Sequence, residues 1–447
     1  VAKVGGMRAR RWFHGALFTV MVVLFVAGWV LRAHGRAMFA EIRATMAADR
    51  GRREAAPVGP GAPGLRAQWR IACGEAMYDP YVSTSDQRLL AGMPGPLTPT
   101  LRKVAADAAP FCRGIHRLVV QGPFLGLPDD PEPGAPPVED DPNAESDDGR
   151  PLADELDGAL YDLQVAAVCA DDPRPVLADV DAAVECLRPP NSLAMCATML
   201  DLARRRDEVY LALATRGQLP DDIRERWAAE PDHRREVATA LACERTYWVP
   251  ARAAWAAEAG PWEYWRWEGA RSDQGVPSQA LADWWGVAEH MRGERARIAA
   301  AEDALAGRAG ADAPEAGDRS WLGSDHAGVE DELSDVVRTA TQHRMAVLAA
   351  GLAMAWHDSG RLPEDGRGLD LAGGPERVAL AYERLNPHRF VIHIATPALG
   401  PAYGGGFAPS YWPKVDDLVI FERFDEAHIL LDLVPHTRTR GQHWRMW

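Results

Sequence analysis

Residues 13–31 read FHGALFTVMVVLFVAGWVL, an unbroken uncharged run just after Arg8, Arg10 and Arg11. As a helix this run rises about 28 Å at ~1.5 Å per residue, close to the hydrocarbon thickness of a bilayer. One segment therefore demands an apolar environment around its whole circumference, and no other stretch of the chain is long and apolar enough to do so. The expectation is a single-pass transmembrane helix over 12–31, with a basic tail at 1–11 in the cytoplasm and Met7 as the start. A cleaved signal peptide has a shorter apolar core ending at a small-residue site. Here the run ends in Trp29-Val30-Leu31-Arg32, which favours an uncleaved anchor.

Lysines and arginines flank the run on both sides, so the positive-inside rule alone gives a near tie. A short basic tail ahead of an N-terminal span usually stays in the cytoplasm. Six cysteines (Cys73, Cys112, Cys169, Cys186, Cys196 and Cys243) form an even set in the remaining body, which suits an oxidising compartment. The body is accordingly expected in the periplasm, with Cys73–Cys112 as one disulfide and further pairing among the other four. The alternative is six ordinary buried thiols. Residues 1–53 hold ten of the 49 basic and two of the 64 acidic residues, so the anchor is near +8 and the body near −23. Such a body repels nucleic acid and anionic lipid, and neither is an expected partner for it.

Residues 32–64 read as a juxtamembrane helix and a Pro/Gly linker. Met38, Phe39, Ile42 and Met46 recur there at helical spacing, either extending the anchor helix or lying on the membrane surface. A small Cys-containing region is expected over 65–128 and a disordered acidic linker over 129–151. That linker lacks the spacing of a calcium loop. Residues 152–306 read as a helical domain, with Leu152, Leu156, Leu160, Leu163 and Ala167 on one face of its first helix. Further helices are expected at 175–187, 191–216, 220–229, 232–246 and 278–306. The PWEYWRWEG segment at 261–269, with Trp248, Trp255, Trp284 and Trp285, reads as a buried aromatic hinge in preference to a ligand platform. After a linker at 307–320, a C-terminal domain over 321–447 begins with a helix at 329–358. It continues in β-rich runs at 378–385, 389–395, 416–424 and 427–435. The fold class expected is α+β: an N-terminal transmembrane helix, a mainly helical middle, and a C-terminal helix with a small antiparallel sheet.

Candidate chemistry concentrates at 346–371, AVLAAGLAMAWHDSGRLPEDGRGLDL. His326, followed some thirty residues later by His357-Asp358, resembles the core of the HD phosphohydrolases. That resemblance implies a divalent metal held by His326, His357 and Asp358 and activating water, although Arg361 stands where the family carries lysine. The stretch from Arg344 to Leu371, with Gly360, Leu362 and Pro363 in the key places, also resembles the helix-to-sheet junction of pseudopilin-like proteins. The same phrase is similar to one in uncharacterised single-pass membrane proteins of bacteria, over about 345–395. Physically, Gly360 suits a left-handed helix cap and Pro363 blocks continuation. The structural junction is the preferred reading of the two. The anchor itself lacks the G-F-T-L-I-E processing motif of pilins. No nucleophile elbow, H-E-x-x-H or Walker A sequence occurs, and His388, His393, His428, His436 and His443 are scattered. The expectation is a structural or interaction protein of the bacterial envelope, with no catalytic residue, metal or cofactor, and with an envelope protein as its partner. The alternative is the HD-type metal-dependent hydrolase.

Overall fold

No proline occurs before Pro57, and helix-favouring residues dominate the N-terminal segment. In the computed structural model a single helix, α1, runs from Ala2 to Glu54. The structure describes residues 2–54, 96–119, 152–185, 187–229, 233–264, 266, 277–306, 329–372, 378–395 and 428–433. The expected linkers at 129–151 and 307–320, the run at 416–424, His326, His436, His443, Cys73 and Cys186 lie outside them.

The described residues are mostly helical, and a small antiparallel sheet near the C-terminus makes the fold α+β. They fall into two units. The first joins the described residues within 1–56 to those within 241–326. The second takes in 140–240 and 327–447 together with 57–127. Residues 152–306 are thus divided between the units, and the boundary falls inside the helix His233–Cys243.

In the first unit α1 has two characters. Trp12 through Val30 carry exposed Phe, Leu, Val, Met and Trp side chains. Beyond Leu31 the helix buries Gly35, Met38, Ile42, Met46 and Asp49, a stripe at three- and four-residue spacing. Residues 32–54 therefore continue the apolar helix. The stripe packs on α8 (Val249–Ala259) and α10 (Val287–Leu305). Small residues allow the close approach. Ala251, Ala253, Ala254, Ala256 and Ala257 are buried on α8. A Cβ on Gly35 would meet the Ala257 carbonyl oxygen and the Trp284 ring, each at 3.2 Å. A π-helical turn, Glu244–Trp248, precedes α8. It lies just before Pro250, which has no N–H to donate and crowds the preceding turn. Arg252 pairs with the buried Glu244 at 3.2 Å, and Arg245 with Glu302 at 2.9 Å. On the α1 side Arg292 pairs with Glu41, and Arg295 with the buried Asp49.

The second unit is built around α5 (Leu193–Thr215), buried on nearly every face. Ser192 caps its start, its hydroxyl accepting from the Met195 amide at 3.2 Å. Gly217, at φ +66°, closes its end in a Schellman turn: the Gln218 amide donates to the Leu213 carbonyl at 2.8 Å and the Gly217 amide to Ala214 at 3.0 Å. Helices α2 (Pro99–Val119), α3 (Leu152–Cys169) and α4 (Arg174–Glu185) pack together, and α3 and α4 also pack on α5. Leu156, Leu160, Leu163 and Ala167 of α3 are buried, as their spacing predicts. Within the expected Cys-containing region at 65–128, α2 is a continuous amphipathic helix that buries Leu101, Val104, Ala108 and Ile115 despite Pro110.

The shorter helices α6 (Asp221–Trp227) and α7 (His233–Cys243) follow α5, and α9 is Pro277–Trp285 in the first unit. The long α11 (Val329–Ser359) returns along α5. It leads into β1 (Leu380–Asn386), β2 (Arg389–Ile394) and β3 (His428–Asp432), paired antiparallel in that order. The junction is pinned by Arg344. Its guanidinium donates to the carbonyls of Val378 (2.9 Å), Asp370 (3.3 Å) and Ala372 (3.2 Å). Gly360 takes φ +68° and Leu362 is buried. The Tyr382 hydroxyl donates to the Pro363 carbonyl at 2.9 Å.

Candidate functional site

Of the residues singled out for metal chemistry, His326 lies outside the described residues. His357 and Asp358 sit exposed in the last turn of α11. The His357 Nε2 hydrogen-bonds the Thr215 carbonyl at 2.8 Å, and its ring packs over Gly217. It thus satisfies an orphan carbonyl at the C-terminus of α5, where a helix leaves its last carbonyls unpaired. Among the described residues, no group of three or more His, Cys, Asp or Glu side chains is placed to hold a metal ion.

Of the six cysteines four are described, and the expected Cys73–Cys112 pair falls outside the described residues. Cys112, Cys169, Cys196 and Cys243 are thiols. Burial first, then the carboxylates of Asp162 and Asp179, push the Cys112 thiol up to about 12. Burial and then Glu244 do the same for Cys243, to about 12. Shifts in this direction favour the protonated thiol, which packs as a small apolar side chain. Next to Cys112, burial raises the Asp162 carboxyl to about 7. His116 pairs with Asp179 at 2.6 Å.

A polar cluster that the sequence reading missed lies in the core of the second unit. Asp207 on α5 is buried. Its Oδ1 accepts from the Trp227 indole at 2.7 Å and its Oδ2 meets His343 Nδ1 of α11 at 3.0 Å. Burial works to raise this carboxyl, but the pairing and hydrogen bond with His343, then Arg206 and the indole, outweigh it. The carboxyl is held below the ordinary carboxylate range. An ionised carboxylate only accepts, so Nδ1 carries the proton. The Trp227 ring stands edge-on to Tyr210 and to His343, at 5.1 and 5.9 Å. His343 Nε2 is buried with no hydrogen-bond partner among the described residues, as are Thr339 Oγ1 and Gln342 Oε1 on the same stretch of α11.

A histidine oriented by a carboxylate is the arrangement of a general base. Here it is walled in by Trp227, α5 and α11, with both His343 and Asp207 about 2% exposed. The arrangement matches α5 to α11 at one register, because sliding either helix strands a buried charge. The available signal was Asp207 itself, a carboxylate on a face of α5 that the neighbouring Val209, Tyr210 and Leu211 mark as buried.

The aromatic segment resolves in part. Trp248, Tyr264 and Trp284 are buried, as a hinge requires, whereas Trp262 and Trp285 are exposed. The Trp284 indole donates to the Ala256 carbonyl at 2.8 Å.

The outstanding surface of the described residues is the apolar segment of α1. It is the one described helix long and apolar enough to cross a membrane, and none of its most apolar window is buried against the rest of the chain. No protein-family model matches the chain, and neither a curated protein nor a solved structure does.

Proposed function

We propose that this chain is a single-pass inner-membrane protein of a bacterial envelope. Its body lies in the periplasm and acts as a structural or interaction module, without a catalytic site of its own. The observation that carries this reading is the two-part burial of α1. Its residues 12–30 are wrapped by none of the described residues, while the same helix continues without a break into the core of the first unit. A helix of this kind couples a body to a bilayer rigidly, with no linker at the membrane surface. The basic residues before the span support a periplasmic body. The cysteines, four of them thiols, lend that orientation no support. The acidic body disfavours nucleic acid, leaving an envelope protein as the partner class. The helix-to-sheet junction at 345–395 fits the pseudopilin-like resemblance in its Gly360 turn and the sheet that follows.

A periplasm-active reporter fused after Trp447, in a strain carrying the full chain, tests the orientation. Periplasmic activity is expected, and activity from a cytoplasm-only reporter at the same position overturns it. Co-purification after mild detergent extraction identifies the partner.

A further inference from the structure

Outside α1, the exposed large hydrophobic side chains among the described residues are Trp262, Leu281 and Trp285, all in the first unit. Leu281 and Trp285 are four residues apart on α9, so they share one face. They are 41% and 45% exposed. Their neighbour Trp284 is buried and locks α9 to the rest of the unit through Ala256 and the Gly35 surface.

Where this face lies along α1 is fixed by His34. The His34 ring stacks on the Trp285 ring, with centroids 3.7 Å apart and planes within 5°. Its Nε2 hydrogen-bonds the Trp285 carbonyl at 2.9 Å. His34 is the third residue past Leu31, the last residue of the apolar run, which is a rise of about 4.5 Å. The polar layer on each side of the hydrocarbon is about 5–8 Å deep. Side chains on a helix tilt toward its N-terminus, which here is the direction of the span. Trp285 therefore falls within the headgroup layer when residues 13–31 fill the hydrocarbon. Arg32 and Arg36 are exposed at the same level of α1, where guanidinium groups meet lipid phosphates. Tryptophan favours this depth, because its ring is apolar and its N–H finds partners among headgroups.

We propose that the Leu281–Trp285 face of α9 seats in the lipid headgroup layer, so that the first unit rests on the bilayer as well as being threaded through it. This rests on the membrane reading of α1. The occupant is phospholipid. A second protein at this face would have to reach it through the headgroups beside the anchor.

The test uses the full chain reconstituted in phosphatidylethanolamine–phosphatidylglycerol vesicles with a radiolabelled phospholipid tracer. The photoreactive residue p-benzoylphenylalanine is placed, one site at a time, at Trp29, Leu281, Trp285 or Asp303. Asp303 is an exposed residue near the end of α10. The pairs Arg292–Glu41 and Arg295–Asp49 show that α10 runs away from the span alongside α1. Lipid labelling is expected at Trp29, and at Leu281 and Trp285 several-fold above Asp303. Labelling at Trp29 with only background at both Leu281 and Trp285 overturns the inference and leaves the anchor intact. Background at Trp29 itself overturns the membrane reading beneath it.

Discussion

Helices α1 and α5 are both long and rich in apolar residues, yet their apolar surfaces have different surroundings. The apolar surface of α5 is covered by α3, α4 and α11, and the helix carries Arg204, Arg205, Arg206 and Asp207 in its middle. Each of these finds a protein partner, Asp207 through His343 and Trp227. The segment 13–31 of α1 carries no charge, and none of the described residues covers it. The difference teaches that hydrophobicity alone does not sort a core helix from a membrane helix. The core helix tolerates charge because protein supplies partners, whereas lipid supplies none.

The strongest way to break the comparison is to put charge into both helices. Replacing Val22 and Phe25 by Arg costs about 2.5–3.5 kcal/mol each at the centre of a span. The expected outcome is loss from the membrane fraction with the unfolding transition of the body unchanged. In α5, Leu200→Arg is expected to unfold the second unit while the protein stays in the membrane. Fractionation and denaturant unfolding read the two effects separately.

Next in size, Asp207→Ala leaves His343 and the Trp227 indole without their acceptor. Breaking a buried pair in this way is expected to cost about 3–5 kcal/mol, measured by urea unfolding. The lowered Asp207 pKa sets the sign with pH. Its contribution is present above the ordinary carboxylate range and is lost as pH falls through the folded-state value. Ile42→Ala, in the buried half of α1, is expected to cost roughly 2–4 kcal/mol in the first unit and to leave membrane association untouched.

Asp162 gives the opposite pH signature. Its folded-state pKa is raised to about 7 from an ordinary value of 3.8, so the folded chain holds a proton that the unfolded chain has released. Stability from this group falls as pH rises from the ordinary value to the raised one. Asp162→Asn is expected to remove that slope, and an unchanged stability–pH profile would contradict the assignment. The smallest effect is expected from His357→Ala, which loses one hydrogen bond to the Thr215 carbonyl, about 0.5–1.5 kcal/mol.

Much of the helical layout was legible because punctuation marked it. Ser192, Pro220 and Gly360 sit where helices start or stop, and Leu156, Leu160 and Leu163 face inward as their spacing requires. Helix α2 accommodates Pro110 in its interior, where a proline removes one backbone donor. The Asp207–His343 pair was illegible because its members are 136 positions apart and one of them is among thirteen histidines. Cysteine parity counts residues and says nothing of burial, whereas Cys196 and Cys243 are buried. The division of the span into exposed and buried halves was only half legible. The apolar run announced itself, but whether residues 32–53 continued the helix depended on partners more than two hundred residues away, such as Arg292 and Arg295.

The most direct test of the membrane-anchored reading is the intact mass of the protein recovered from alkaline-carbonate-washed membranes. Retention in the washed membrane with residues 13–31 still attached is the predicted result. Release into the wash, or a mature protein that has lost those residues, would contradict it.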